Sequence, residues 1–431
     1  MYNANLALPL LNYSTRKMDL KTLYSAYMGC VSNKRRSADS VHFSLHEERD
    51  LVRLLDDLKS RSLVPFLYGF VAQRPRPREV IASLMQGKIV QYYFDLLVRP
   101  IVENRLTDRT FNNRVGYGPD VAISRLMQDI AEVSCNYTKD CWIITRDIQS
   151  YFPSSDLDRS YSRYRELIEE CFPEGEVRDD LLYILMRVVY SCPSKNVVLV
   201  STRDRWSPIV KSGKSVVFNC EEGRGACLGN QFWQVEKNYD LNEFDHWQVD
   251  SCGMRYGRFV DDMWWVVDNL ESGLAHVNLS EKKLLYEYGY RMHPDKRYQQ
   301  HWRRGGMFIS TWFKADRMYI GNRVVRNAEE SVRKWNRLAS PFMLDRFLCS
   351  INSYIGTMKR RNSYRIIRRI ADMVSKEWLR YCHFNDERVC FTANKGWSRN
   401  EILVRKYGFK IHKTKHRHGT RKNQQNRVSA A

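Results

Sequence analysis

Asp261 and Asp262 stand side by side in Arg258-Phe-Val-Asp-Asp262, between two apolar runs. The surrounding string, Met254 to Val267, reads as strand, tight turn and strand, with aromatic and β-branched residues on both sides. Two acids forced together at a hairpin tip repel each other unless a cation sits between them. A divalent metal is the usual remedy, and carboxylate sites of this kind hold two ions about 3.5–4 Å apart for phosphoryl chemistry. The plain alternative is a solvated turn with an ordinary Asp-Asp dipeptide. Asp147 offers a third carboxylate, because it ends the apolar run Trp142-Ile-Ile-Thr-Arg-Asp147. Facing the hairpin, it would complete a three-carboxylate cage for two Mg²⁺. Its plain alternative is an Asp that caps the following turn.

Two further segments accompany these acids. Phe152 lies five residues beyond Asp147, where a bulky ring could pack under a sugar, or could fill the core. In Gly225-Ala-Cys-Leu-Gly-Asn-Gln-Phe-Trp-Gln234, Gly225 and Gly229 allow close backbone approach to a base pair or ribose. Asn230 and Gln234 add donors and acceptors one helical turn apart; a plain helix cap is the alternative.

The elements that must position these residues follow from periodicity. Residues 17–60 are expected to be helical and charged, with a basic break at 33–36. Residues 64–72 alternate like a strand, and Gln73-Arg-Pro-Arg-Pro-Arg78 interrupts it, because proline cannot continue a ladder. Helix spacing resumes over 80–104 and again over 119–134, ahead of the Asp147 strand. Helices are expected at 157–170 and 178–191, a polar insertion at 193–223, and a helix at 228–245 before the Asp-Asp hairpin. A helix at 281–290, a short strand at 306–313 and a basic helical region from 326 to 382 complete the ordered part. From Arg405 onward there are nine Lys or Arg and no acid, and no internal repeat occurs.

The chain has 431 residues, enough for two or three packed subdomains and a sizeable core. Its 70 Lys+Arg against 49 Asp+Glu give a net charge of +21, which suits a polyanion held through phosphate contacts and counterion release. No apolar run reaches membrane-spanning length and no signal-peptide pattern opens the chain, so no membrane is expected. Eleven cysteines without a CxxC pair suit free thiols in a reducing cytoplasm. Cys382, His383 and Cys390 lack the second close pair that structural zinc needs.

Taken together, Arg146-Asp-Ile-Gln-Ser-Tyr-Phe152, the Gly225 to Gln234 segment and Tyr256-Gly-Arg-Phe-Val-Asp-Asp262 resemble motifs A, B and C of bacterial reverse transcriptases. Arg74-Pro-Arg-Pro-Arg78 with Lys88-Ile-Val-Gln91 resembles their fingers segment, and Arg114-Val-Gly-Tyr-Gly118 the adjacent Arg-x-Gly-x-Gly element. His293-Pro-Asp-Lys296 resembles motif D, Gly306-Met-Phe-Ile309 the primer-grip strand, and Ser350-Ile-Asn-Ser-Tyr-Ile-Gly356 a thumb segment. The resemblance covers about residues 60 to 380, in the family's order.

The resemblance implies an α+β right-hand polymerase fold. Its palm would be a short antiparallel sheet with helices on one face, and its thumb helical. The expected divisions are an N-terminal helical extension (1–60), fingers (61–135), palm (136–305, with the insertion at about 193–223), primer grip and thumb (306–385), and a basic C-terminal extension (386–431). It further implies RNA-directed DNA synthesis with two Mg²⁺ at Asp147, Asp261 and Asp262, and the Ile148 backbone as a further ligand. Phe152 would gate the sugar, and Arg76, Arg78 and Lys88 would meet triphosphate or template. Gly229 and Gln234 would line the nascent pair, and Lys296 would protonate the pyrophosphate leaving group. Arg74, Arg114, Asn230, Arg360, Arg361, Lys413, Lys415 and Arg417 are the expected RNA or DNA contacts. Expected partners are an RNA template, DNA product and deoxynucleoside triphosphates. An accessory protein and a homo-oligomer are left open.

The motif B form Leu-Gly-Asn-x-x-x-Gln resembles diversity-generating retroelement enzymes and unknown-group, defence-associated ones. Trp233 replaces a serine usual in the former, and Ser310 a glycine usual after the primer-grip strand. Retron marks and a maturase or endonuclease extension are missing. These departures, with the basic tail, lean toward a defence enzyme copying a dedicated noncoding RNA. The rivals are mutagenic retrotransposition, template-independent or protein-primed synthesis, and a noncatalytic RNA-binding scaffold.

Overall fold

The computed structural model describes residues 17–31, 38–65, 67–73, 77–315, 317–397 and 402. The chain divides into two compact units, Met1–Asp316 and Arg317–Ala431.

In the first unit, helices α1 (Leu20–Val31), α2 (Ala38–Ser44) and α3 (Glu47–Lys59) precede strands β1 (Leu67–Ala72) and β2 (Arg78–Ser83). Helices α4 (Met85–Arg105) and α5 (Pro119–Val133) lead to strand β3 (Trp142–Asp147). Next come α6 (Leu157–Cys171), α7 (Glu176–Val189), α8 (Pro193–Asn196), β4 (Val197–Leu199) and α9 (Arg203–Lys211). Helices α10 (Gln231–Asp240) and α11 (Asn242–His246) enter the hairpin β5 (Arg255–Phe259) and β6 (Asp262–Val267). Helix α12 (Leu270–Tyr288) and strands β7 (Tyr298–His301), β8 (Gly306–Phe308) and β9 (Thr311–Lys314) follow.

The architecture is α+β, built around a sheet of four strands ordered β5-β6-β3-β7, all neighbours antiparallel. Strand β6 is apolar at every position from Met263 to Val267, and all five side chains are buried. Side chains alternate across a strand, so a run buried throughout needs cover on both faces. Helix α12 covers the face of Ile144, Trp265 and Val267, where Gly273 comes so close to Val267 that a Cβ would sit 2.5 Å from its side chain. Helix α5 covers the opposite face, where Asp129 accepts a 3.0 Å hydrogen bond from the Trp264 indole. The sheet is therefore sandwiched, whereas the sequence led us to expect helices on one face only.

A second sheet, ordered β2-β1-β4, joins an antiparallel pair to a parallel third strand. Two expectations change here. Residues 80–83 do not start a helix: Arg78 to Ser83 pair with Ala72 to Leu67, and helix α4 begins only at Met85. The insertion at 193–223, expected as a polar stretch, contributes a strand to this sheet, β4 against β1. Helix α12 starts eleven residues before the expected 281, because the Asn269 side chain caps it by accepting from the Ser272 N–H. Gly289, at φ +71°, ends it.

The second unit comprises β10 (Arg317–Ile320), α13 (Asn322–Asn336), α14 (Leu344–Lys359), α15 (Tyr364–Asp372), α16 (Lys376–Leu379), β11 (Cys382–Asn385) and β12 (Cys390–Ala393). Its core holds Val325, Val332, Ile351 and Ile370, and Phe347 stacks on Trp378 with ring centroids 4.3 Å apart. The Asn352 amide donates to the Phe391 carbonyl and accepts from the Phe391 N–H, each at 2.8 Å, which fixes the β11–β12 hairpin to α14. Among the described residues no helix is long and apolar enough to cross a membrane.

Gly257 on β5 faces Trp264 so closely that a Cβ would lie 2.1 Å from the indole ring. We expect Gly257→Ala to lower the unfolding free energy by about 1–3 kcal/mol in urea titrations, since the packed sheet leaves the ring nowhere to move.

Candidate active site

Strand pairing brings the three acids together. Asp147 is the last residue of β3 and lies opposite Asp262, the first residue of β6. Asp261 occupies the turn between β5 and β6, and its carbonyl accepts from the Ile148 N–H at 3.0 Å. One carboxylate oxygen from each of Asp147, Asp261 and Asp262 lies within 4.8 Å of the other two. This is the convergence expected from the sequence.

The turn itself is strained. Val260 has φ +60°, a region costly for a β-branched residue, of order 1–3 kcal/mol. Both of its backbone polar groups are held: the N–H donates to Asn112 Oδ1 at 2.9 Å, and the carbonyl accepts from Arg258 Nη1 at 3.1 Å. Arg258 is fully buried and makes a two-pronged ion pair with Asp245, Nε to Oδ1 at 2.9 Å and Nη2 to Oδ2 at 2.6 Å. Asp245 also accepts from the Tyr256 and Thr110 hydroxyls. Removing one partner of such a buried pair strands the other charge, so the pair over-determines the hairpin.

A strap after α12 supports Asp147. The His293 N–H donates to the Asp147 carbonyl at 2.7 Å, and the Gln149 N–H to the Arg291 carbonyl at 2.8 Å. Three residues on, Lys296 Nζ reaches Asp147 Oδ2 at 2.5 Å. Burial pushes the Asp261 carboxyl upward, and Asp147 adds to it; Lys296 and Arg78 oppose the rise. Burial, Asp261 and Asp147 together push Asp262 up to about 7. An all-oxygen donor set with this much uncompensated negative charge fits divalent cations of the Mg²⁺ type.

Other expected site residues are placed as follows. Arg78 opens β2, is exposed, and its charge is felt at Asp261. Phe152 lies in the turn after β3, half-buried against the main core, and its carbonyl accepts from the Ala226 N–H at 2.8 Å. Gln234 sits half-buried on α10 and its side-chain oxygen accepts from Asn113 Nδ2 at 2.9 Å. Ile148 buries its side chain, so only its backbone could serve an ion.

Four of the expected site residues are engaged within the fold. Lys88 pairs with Asp39 at 3.0 Å and lies over the Tyr68 ring, so its charge is spent within the fold. Arg114 donates to the carbonyls of Thr107 and Thr110 at 2.5 and 3.0 Å and packs on Tyr117; it pins a loop. Asn230 is buried, with its oxygen accepting from the Ser83 N–H and hydroxyl at 2.8 and 3.0 Å, so its carbonyl end clamps β2. Gly229, at φ +127°, is needed for close approach to the backbone of β2, because a Cβ would lie 2.8 Å from the Ile81 carbonyl oxygen. Arg360 and Arg361 end α14 in the second unit. Arg74, Arg76, Lys413, Lys415 and Arg417 lie outside the described residues.

Sequence reasoning missed Asn112, Asn113 and Asp245. Asp245 carried one signal, an acid inside an apolar helical run, while the two asparagines carried none.

No known protein-family profile matches the chain, and no curated protein matches it. Solved structures similar to it include apo telomerase from Candida tropicalis, at 9% identity and TM-score 0.42, covering 73% of this chain and 62% of that one. A form of that telomerase truncated from its C-terminal domain aligns at 11% identity and TM-score 0.40, over 62% of this chain and 58% of that one. Telomerase from Candida albicans in complex with a TWJ fragment of telomeric RNA aligns at 12% identity and TM-score 0.39, over 72% and 56%. This chain thus spans less than two thirds of each of those chains.

The raised Asp262 gives a pH signature. Its folded value of about 7 exceeds the ordinary carboxylate value, so its contribution to stability is present at low pH and lost as pH rises through about 7. A bound cation removes that loss. The rise in melting temperature on adding Mg²⁺ should therefore be larger at pH 8 than at pH 6, by differential scanning fluorimetry; an equal rise at both would count against the ionised triad as the binding site.

Proposed function

We propose that this chain is an RNA-directed DNA polymerase that uses the three-acid cluster for nucleotidyl transfer. The observation that carries this reading is the convergence of Asp147, Asp261 and Asp262 within 4.8 Å, at a strand end and an adjoining hairpin turn. Two Mg²⁺ ions bound there would lower the pKa of a primer hydroxyl and neutralise the triphosphate and its departing pyrophosphate. The remaining work belongs to side chains of this protein. Asp147 and Asp261 would hold ions directly, Asp262 would complete the acid cluster, and the Ile148 carbonyl is a further candidate ligand.

Lys296, which pairs with Asp147, is an exposed ammonium beside the acids and is suited to give a proton to the leaving pyrophosphate. Arg78 would meet the triphosphate, and Phe152 would crowd a ribose 2′-hydroxyl. Gln234 would contact the nascent pair.

The finer reading is a defence-associated enzyme of the bacterial reverse transcriptase type, acting in the cytoplasm on a dedicated noncoding RNA. The charge excess of +21 and the motif B form support it.

The decisive assay supplies an RNA template, a DNA primer, deoxynucleotides and Mg²⁺. Extension in template order is expected, and Asp261→Asn with Asp262→Asn should reduce it by about 10³-fold or more, since several kcal/mol of charge stabilisation are lost. Product grown from a single deoxynucleotide without template would instead favour template-independent synthesis. No product at all, with RNA still bound, would favour the scaffold.

Phe152→Ala should admit ribonucleotides, raising their incorporation relative to deoxynucleotides by about tenfold or more in competition assays. Unchanged sugar preference would remove Phe152 from the gate.

A further inference from the structure

The loop between α4 and α5 touches both the helix that carries Gln234 and the turn that carries Asp261. The Asn113 amide nitrogen donates to Gln234 twice, to Oε1 at 2.9 Å and to the backbone carbonyl at 3.2 Å. Asn113 sits at φ +52°, a conformation that asparagine tolerates better than most residues, and its own carbonyl accepts from Arg99 Nη2 at 2.5 Å. The preceding residue is equally committed. Asn112 Oδ1 accepts from the Val260 N–H at 2.9 Å, and its carbonyl accepts from Asn238 Nδ2 at 2.7 Å. The same loop is tied to β5 by the Phe111 N–H to the Arg258 carbonyl at 3.0 Å, and by the Arg258 N–H to the Arg109 carbonyl at 2.9 Å.

Two adjacent residues therefore join positions 234 and 238 of α10 to residue 260, the one before the acid pair: the Asn113 side chain bonds to Gln234, and Asn112 bonds to Asn238 through its carbonyl and to Val260 through its side chain. The hydrogen bond into Gln234 Oε1 also fixes which way that amide points. Its oxygen is occupied by Asn113, so its two Nε2 donors are directed to acceptors elsewhere. A nucleoside triphosphate carries such acceptors on its sugar and on its base edge, where every base offers one in the minor groove.

We propose that Asn112 and Asn113 are positioning residues that hold Gln234 in register with the acid-bearing turn, so that a nucleotide seated on Gln234 is aligned with Asp261 and Asp262. This rests on the polymerase reading above. Asn113 acts on the nucleotide through Gln234, and Asn112 fixes the strained turn against the same loop.

Asn113→Gly is the informative variant, because glycine keeps the left-handed backbone while deleting only the amide. Primer extension with wild type, Asn113→Gly, Gln234→Ala and the double variant forms a cycle. Asn113→Gly should raise KM for the deoxynucleotide about three- to tenfold with a smaller change in kcat, consistent with the loss of ordinary hydrogen bonds. In the Gln234→Ala background the same substitution should cost almost nothing. The unfolding midpoint, measured alongside, should stay at the wild-type value, which a merely structural role would not allow. Two results overturn the coupling while leaving the polymerase reading intact: an Asn113→Gly enzyme with wild-type KM, or a cost that is undiminished in the Gln234→Ala background. A wild-type protein that extends no primer overturns both.

Discussion

Three carboxylates gathered within 4.8 Å are held against their own repulsion, and much of the first unit is arranged around that fact. Two unit charges about 4 Å apart repel by about 4 kcal/mol at the effective dielectric near a protein surface. A flexible loop would relax by turning one acid away. Here the backbone leaves no such freedom. Asp147 and Asp262 are cross-strand partners in the sheet, Asp261 is bonded through its carbonyl to the residue after Asp147, and Asp147 is bonded through its own carbonyl to His293. The residual charge is met in two ways without a metal: Asp262 takes up a proton more readily, and Lys296 lies on Asp147. Both are responses that a divalent cation would displace.

The strain at Val260 belongs to the same constraint. A left-handed β-branched residue persists only where its surroundings over-determine it. Asn112 and Arg258 hold its two backbone groups, and Arg258 in turn is held by Asp245 and by the carbonyls of Lys237 and Asn238. The cost of burying Arg258 and Asp245 is offset by near-complete hydrogen bonding. That stack of contacts runs from α10 and α11 to the hairpin tip, so the helices behind the sheet set the aim of the acids in front of it.

The parts of this site legible in the sequence are those encoded locally. The hairpin announces itself by aromatic and β-branched residues around Asp261 and Asp262, and Asp147 by the apolar run it ends. Two residues from separate strands then meet because sheet register is fixed by which faces are apolar. The unread parts are encoded by distant partners. Lys88 looks like a ligand-binding cation until Asp39, 49 residues earlier, claims it. Asn230 looks like a helix cap facing a groove until Ser83, 147 residues earlier, takes its oxygen. Strand β2 was hidden because Val80 to Ser83 continue the apolar spacing of α4, and only pairing with β1 separates them. Fold class therefore came with the motif resemblance, whereas the partners of Lys88 and Asn230 lie too far away in the chain to be read from it.

The charge of the chain is partitioned as sharply as its chemistry. Residues 317–431 hold 27 Lys and Arg against 8 Asp and Glu, while residues 1–316 hold 43 against 41. Nearly all of the net +21 therefore belongs to the second unit, and the unit with the acids is close to neutral overall. A near-neutral first unit does not pull indiscriminately on polyanions, and its acid cluster presents negative charge that phosphates approach only with cations. On the polymerase reading, the long-range attraction to nucleic acid comes from residues 317–431 and is screened by salt. The acid geometry is fixed instead by short-range contacts, buried or held in the sheet, that salt reaches far less. Retention of template and alignment of the reacting groups are then governed by different interactions in different parts of the chain, and each can vary without dismantling the other.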